Sequence, residues 1–188
     1  MFYLLLRFGP GPYYVEVDVL LDGKTRFFTV QTSSTYSMHQ TVYIFMDMVD
    51  QKVWDNYAFV ESEDQVLHIA PISPDGERHE GDRDMNIFEP AENNPRETNS
   101  LCFSGIGPGM YLNLKNNPDL HDPLQRNENE ILNDGPCFAN VVIGLSTMSL
   151  LKVAASSYGA GDADSLIPSI KSIKRVEISE QRLMEYGL

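Results

Sequence analysis

Side chains able to take part in chemistry are sparse in this chain, and the best-ordered of them lie in Ser104-Gly105-Ile106-Gly107-Pro108-Gly109-Met110-Tyr111-Leu112-Asn113-Leu114. Three glycines around one proline force a turn. The residues after it alternate with the period of a pleated strand, Met110, Leu112 and Leu114 on one face and Tyr111 and Asn113 on the other. A phenol ring and a carboxamide thus share a face, and the simplest reading is a sheet strand with a buried tyrosine. The four histidines, His39, His68, His79 and His121, are scattered and form no HxxxH or HExxH pattern. Two cysteines, Cys102 and Cys137, are too few for a disulfide framework and lack metal-ligand spacing. Their apolar neighbours predict buried free thiols. No metal and no cofactor is expected.

Charge narrows the partners. Acidic residues outnumber basic ones by 27 to 14, a net charge of −13, whereas nucleic-acid binding draws on clustered lysine and arginine that displace counterions. The excess falls in Glu61 to Asp64, Asp75 to Glu97 and Asp119 to Asp134, which read as solvated loops. No run approaches the length of a membrane span, and the apolar opening Met1 to Leu6, ended by Arg7 and Gly9-Pro10, is too short for a signal peptide. A soluble monomer is expected, cytoplasmic by default. The 188 residues suit one domain with a full core.

The elements that must carry these side chains follow from periodicity. Tyr13 to Leu21 alternates strictly, Asp22-Gly23 is a favoured hairpin pair, and Lys24 to Thr32 resumes a β-branched and aromatic run. Met38, Val42, Phe45, Met48 and Val49 recur at helical steps behind candidate caps at Ser33, Ser34, Thr35 and Ser37. Strands are predicted at Tyr57 to Val60, Gln65 to Ala70, Ser100 to Ser104, the Met110 stretch, Pro136 to Leu145 and within Ile167 to Ile178. A second helix, capped by Ser146, has Met148, Leu151 and Ala155 on one face. The polar excursions Pro71 to Thr98 and Lys115 to Gly135 exceed ordinary connections. The class is mainly β with two helices, and the strand count suits a closed barrel. The parts are an N-terminal segment (1–12), a domain (13–178) and a C-terminal tail (179–188) expected to fray.

Taken in order, the hairpin, the helix Met38-His39-x-x-Val42-x-x-Phe45-x-x-x-Val49, Trp54-Asp55-x-x-x-Phe59, the glycine-rich turn into Met110-Tyr111-Leu112, and Cys137-Phe138-Ala139-Asn140-Val141-Val142-x-Gly144 resemble the cyclophilin family of peptidyl-prolyl isomerases. The likeness runs from about Tyr13 to about Ile178 and rests on joint order. It implies a closed eight-stranded antiparallel barrel capped by two α-helices, with a shallow apolar pocket on the outer face for proline-containing or extended peptide segments. An arginine beside that pocket favours a pyramidal prolyl nitrogen, so catalysis in the family is electrostatic.

At the position implied for that arginine, two residues after Phe59, stands Glu61. A carboxylate accepts hydrogen bonds and carries the opposite sign, so it cannot replace a guanidinium. His68 falls near the family glutamine, Met110 and Tyr111 on the paired phenylalanines, and the pocket histidine near Gly135. The pocket tryptophan has no counterpart, since Trp54 belongs to the helix exit. The implied peptide-binding set is Phe59, Val66, His68, Met110, Tyr111 and Phe138. The resemblance with these departures implies a peptide-binding domain with weak or absent isomerase activity. The alternatives are an active isomerase using His68 or a loop arginine such as Arg78 or Arg83, and a structural interaction module.

Overall fold

The computed structural model describes residues 2–34, 36–61, 66–72, 97–104, 108–116, 134–159 and 167–185. Eight strands, β1 (Tyr14–Leu21), β2 (Lys24–Thr32), β3 (Ala58–Glu61), β4 (Val66–Ala70), β5 (Ser100–Ser104), β6 (Met110–Asn113), β7 (Asp134–Ile143) and β8 (Ser169–Val176), close into a barrel in the order β1-β2-β7-β5-β6-β4-β3-β8. Every neighbouring pair is antiparallel. The strict alternation of β1 has the predicted result: Val15, Val17, Val19 and Leu21 are buried. Asp22 and Gly23 both take positive φ, 49° and 72°, as a two-residue hairpin turn with the right-handed twist requires.

Among the described residues four helices accompany the barrel: α1 (Phe2–Phe8), α2 (His39–Asp50), α3 (Leu145–Gly159) and α4 (Glu180–Glu185). The stripe of α2 buries Val42, Phe45, Met46 and Val49, and Phe45 meets Phe138 of β7 with ring centroids 4.7 Å apart. α3 lies against β2 and β3 and buries Met148, Leu151 and Ala155. The predicted caps are corrected. Met38 is the N-cap of α2 and makes no side-chain cap bond, while Ser34 and Ser37 bond within the preceding turn. At α3 the cap position falls to Gly144, whose carbonyl accepts from the N–H groups of Thr147 (2.8 Å) and Met148 (3.3 Å).

The flanks also differ from expectation. The apolar opening folds as α1 and contributes Leu4 and Phe8 to the core, Phe8 packing edge-on against Tyr13 and Tyr43. Arg7 at its end bridges Asp47 and Asp50 of α2. The tail expected to fray contains α4, where the Ser179 carbonyl accepts from the Leu183 N–H and the Ser179 hydroxyl from the Arg182 N–H. Among the described residues no helix is long and apolar enough to cross a membrane.

Candidate functional site on the outer face of the barrel

Alternation along each strand sends one set of side chains inward and the other out, and cross-strand register aligns the outward set into rows. Val60 of β3 lies opposite His68 of β4, His68 opposite Tyr111 of β6, Tyr111 opposite Cys102 of β5, and Cys102 opposite Cys137 of β7. Tyr111, Cys102 and Cys137, with Val66, form a buried cluster separate from the barrel core. Val60 and His68 are half-buried at the other end of the row. The His68 and Tyr111 ring centroids are 6.1 Å apart.

Asn113 stands on the same face as Tyr111, as the alternation predicts, and is fully buried. Its amide donates to the Ser100 hydroxyl at 2.8 Å, and that hydroxyl donates to the Glu97 carbonyl at 2.8 Å. The Asn113 Oδ1 is buried with no hydrogen-bond partner among the described residues, so this face holds an acceptor with unused capacity. Tyr111 is 1 % exposed and Val66 4 %. The row's apolar end is thus closed to solvent, and access is greatest at Val60 and His68.

Of the six residues implied for peptide binding, Val66, His68 and Tyr111 share this outer face. Phe59, Met110 and Phe138 point into the barrel, where Phe138 stacks on Phe103 with centroids 4.6 Å apart and all three belong to the main core. The reason is parity, since Phe59 and Met110 lie in register opposite the core residues Ile69 and Phe103. Glu61 ends β3 as the register partner of Leu67, and its side chain lies outside the described residues, as do Arg78 and Arg83. Val60, not Glu61, is the residue opposite His68. The signal for Val60 was present in the alternation, since a buried Phe59 puts its neighbour outside.

The two cysteines are the clearest correction. Instead of free thiols, Cys102 and Cys137 form a disulfide between β5 and β7. Their apolar surroundings were read correctly as burial, but the pairing depends on a register between strands 35 residues apart. A cross-link closing a loop of that size is expected to stabilise the fold by about 4 kcal/mol. Urea unfolding with and without reductant checks this, and coincident midpoints would show the bond to be energetically idle. Among the described residues no group of three or more His, Cys, Asp or Glu could hold a metal.

No protein-family model matches the chain, and no curated protein does. Solved structures do. A cyclophilin-type peptidyl-prolyl cis-trans isomerase of Cryptosporidium parvum is 11 % identical with a TM-score of 0.57, over 89 % of this chain and all of that one. The same isomerase in the presence of the dipeptide Ala-Pro gives a TM-score of 0.56 at 11 % identity, over 87 % and 99 % of the two chains. The Mimivirus cyclophilin gives 0.58 at 13 % identity, over 91 % and 93 %. With eight strands closing in an antiparallel ring and this likeness in three-dimensional course, the chain has a divergent cyclophilin-like fold.

Proposed function

We propose that this domain binds proline-containing or extended peptide segments on its outer face and isomerises Xaa-Pro bonds slowly or not at all. The observation that carries the reading is the row itself, in which Val60 occupies the place in register with His68. Amide resonance sets a rotation barrier of about 18–20 kcal/mol, while the prolyl isomers differ by only about 0.5–1 kcal/mol. A catalyst must therefore stabilise a twisted amide whose nitrogen has regained its lone pair, and a fixed positive donor does this best. Val60 offers only methyl groups. Of the described arginines, Arg7 bridges Asp47 and Asp50 of α2, Arg26 stands opposite Val19 of β1, Arg175 of β8 stands opposite Val15 of β1 and over the Tyr13 ring, at the end of β8 away from its Ser169 join to β3, and Arg182 lies on α4. What remains is a partly open strip at Val60 and His68, suited to a peptide backbone or prolyl ring rather than to the chemistry.

A second reading, an interaction module with a silent pocket, is favoured by the burial of Tyr111. Two measurements separate the readings. In an exchange assay on an Xaa-Pro peptide, interconversion is expected at the uncatalysed rate, over tens to hundreds of seconds. Acceleration that disappears in His68→Ala would instead mark a working isomerase with an imidazole donor. Titration with a proline-rich peptide is expected to move amide resonances at Val60 and His68, and an unchanged spectrum would leave the silent module.

A further inference from the structure

The bond between Cys102 and Cys137 lies where the ladder of the barrel wall is interrupted. β5 and β7 are in register at Leu101 with Ala139, at Cys102 with Cys137 and at Ser104 with Asp134, and the register shifts between Leu101 and Cys102 and again between Cys102 and Ser104. On either side of the bond β7 carries one residue more than β5. Such a bulge leaves a residue unpaired and breaks the ladder locally. β7 meets its other neighbour, β2, only from Ala139 onward, so at Cys137 its ladder is with β5 alone. The covalent bond fastens the two strands where their backbones hold each other least.

The sulfurs also have polar company. The Asn113 amide nitrogen lies 3.4 Å from the Cys102 Sγ and 3.9 Å from the Cys137 Sγ, and the Ser100 hydroxyl oxygen lies 3.9 and 3.8 Å from the same two atoms. A divalent sulfur accepts hydrogen bonds weakly, whereas an ionised acceptor takes them at about twice the strength. Ser100 gives its one hydroxyl proton to the Glu97 carbonyl and accepts from Asn113, which fixes the carboxamide with its N–H groups toward Cys102. The Oδ1 of that carboxamide is the buried acceptor without a partner, and a thiol brings an S–H donor. A donor suited to a thiolate and an acceptor suited to a thiol thus stand beside a disulfide that makes full use of neither.

We propose that Cys102 and Cys137 form a reversible dithiol–disulfide couple that works within the folded barrel, and that its reduction by a dithiol uncovers Tyr111. One thiolate of the dithiol attacks the Cys137 Sγ, since Cys137 is 2 % exposed and Cys102 not at all. The S–S bond breaks and its electron pair goes to the Cys102 Sγ, where the Asn113 N–H stabilises the thiolate until it takes a proton. The second thiol of the reductant then displaces Cys137 from the mixed disulfide. The dithiol leaves as a cyclic disulfide, and its two electrons and two protons remain on the two cysteines. Tyr111, Val66, Cys102 and Cys137 form one buried cluster, with Tyr111 in register with Cys102. Released from Cys102 at an interrupted ladder, Cys137 withdraws from the ring that it helps to cover, and the apolar end of the outer row opens. A consequence for peptide affinity rests on the peptide-binding reading above, whereas the couple itself does not.

The whole chain, equilibrated without denaturant at graded ratios of reduced to oxidised dithiothreitol, tests the proposal. Alkylation and mass measurement should find both cysteines becoming reactive together, while far-ultraviolet circular dichroism stays that of the folded barrel. Amide resonances of Tyr111 and Cys137 should move, and return on reoxidation. A chain carrying Cys102→Ser and Cys137→Ser should give the reduced pattern at every ratio. In Asn113→Ala the pH at which Cys102 becomes reactive should rise, whereas looser packing alone would lower it. Affinity for a proline-rich peptide should increase about tenfold on reduction, the size of one added aromatic contact. If Tyr111 responds to reduction but the peptide binds neither form, the couple stands and the peptide reading falls. If the peptide binds both forms equally and Tyr111 does not move, the peptide reading stands and the couple's effect on this face falls. A bond that resists excess dithiothreitol, or reduction only with loss of the folded signal, would overturn the couple outright, and the unsubstituted chain supplies that result even if no variant folds.

Discussion

Gly144→Ala is expected to destabilise the protein by about 4 kcal/mol, from two effects that act at one residue. The first is conformational. Gly144 has φ +85°, a region where a side chain costs about 1–2 kcal/mol. The second is steric. A Cβ at this position would lie 2.6 Å from the Phe27 carbonyl oxygen, 2.8 Å from the Phe28 Cα and 3.0 Å from its Cβ. Two of these three atoms belong to the backbone of a strand paired on both sides, with β1 and β7, so they cannot move aside as a flexible side chain would. Overpacking of that kind costs about 1–3 kcal/mol. Gly23 supplies the control, because its φ is +72° but a methyl group there would meet nothing within 4 Å. Gly23→Ala should show the conformational part alone, about 1 kcal/mol. Equal losses for the two variants in urea unfolding would remove the steric half of the prediction.

Trp54→Ala is expected to cost about 4 kcal/mol, the range for emptying a large aromatic site in a core. The indole is fully buried, with ring centroids 5.5 Å from Phe45 and 6.4 Å from Phe103. Its Nε1–H donates to the carbonyl of Pro108. Pro108 lies two residues before β6, the strand that carries Tyr111 and Asn113. One side chain at the exit of α2 therefore fixes the approach to the strand at the centre of the outer face. Trp54→Phe separates the contributions: most of the apolar volume stays, the donor goes, and a loss of about 1–3 kcal/mol is expected from the unpaired Pro108 carbonyl. Far-ultraviolet circular dichroism must follow both unfolding curves, since the chain has no other tryptophan. A Trp54→Ala variant with an unchanged midpoint would mean that the indole does not organise this part of the core.

Local pattern carried much of the architecture. Each strand announced itself through alternation, as in β1, or through a compact apolar run, as in β7, and α2 through its three- and four-residue spacing. These signals are local because a pleat and a helical turn repeat within a few residues. What the sequence concealed depends on parts of the chain meeting. The Cys102 to Cys137 bond needs the β5 to β7 register, and the inward turn of Phe138 and Met110 needs to be known relative to the barrel axis rather than to their own strands. The cap of α3 fell to Gly144 over the better cap former Ser146 because β2 passes so close to that glycine. For the candidate site, Tyr111 and Asn113 were legible as a facing pair, but their alignment with Val60 and His68 emerged only when β3, β4 and β6 were laid side by side.

The ring of strands is not evenly fastened. β1 and β2 are in register over eight residue pairs, whereas β3 and β8 share one, Ala58 with Ser169, supplemented by the Asn56, Phe59 and Ile170 N–H groups bonding across the join. A cylinder closed by so short a clasp opens first at that clasp, as a split ring does. Val60 lies two residues from it, so the more accessible edge of the outer face is also the one best able to widen without loosening the half of the wall tied by the Cys102–Cys137 disulfide.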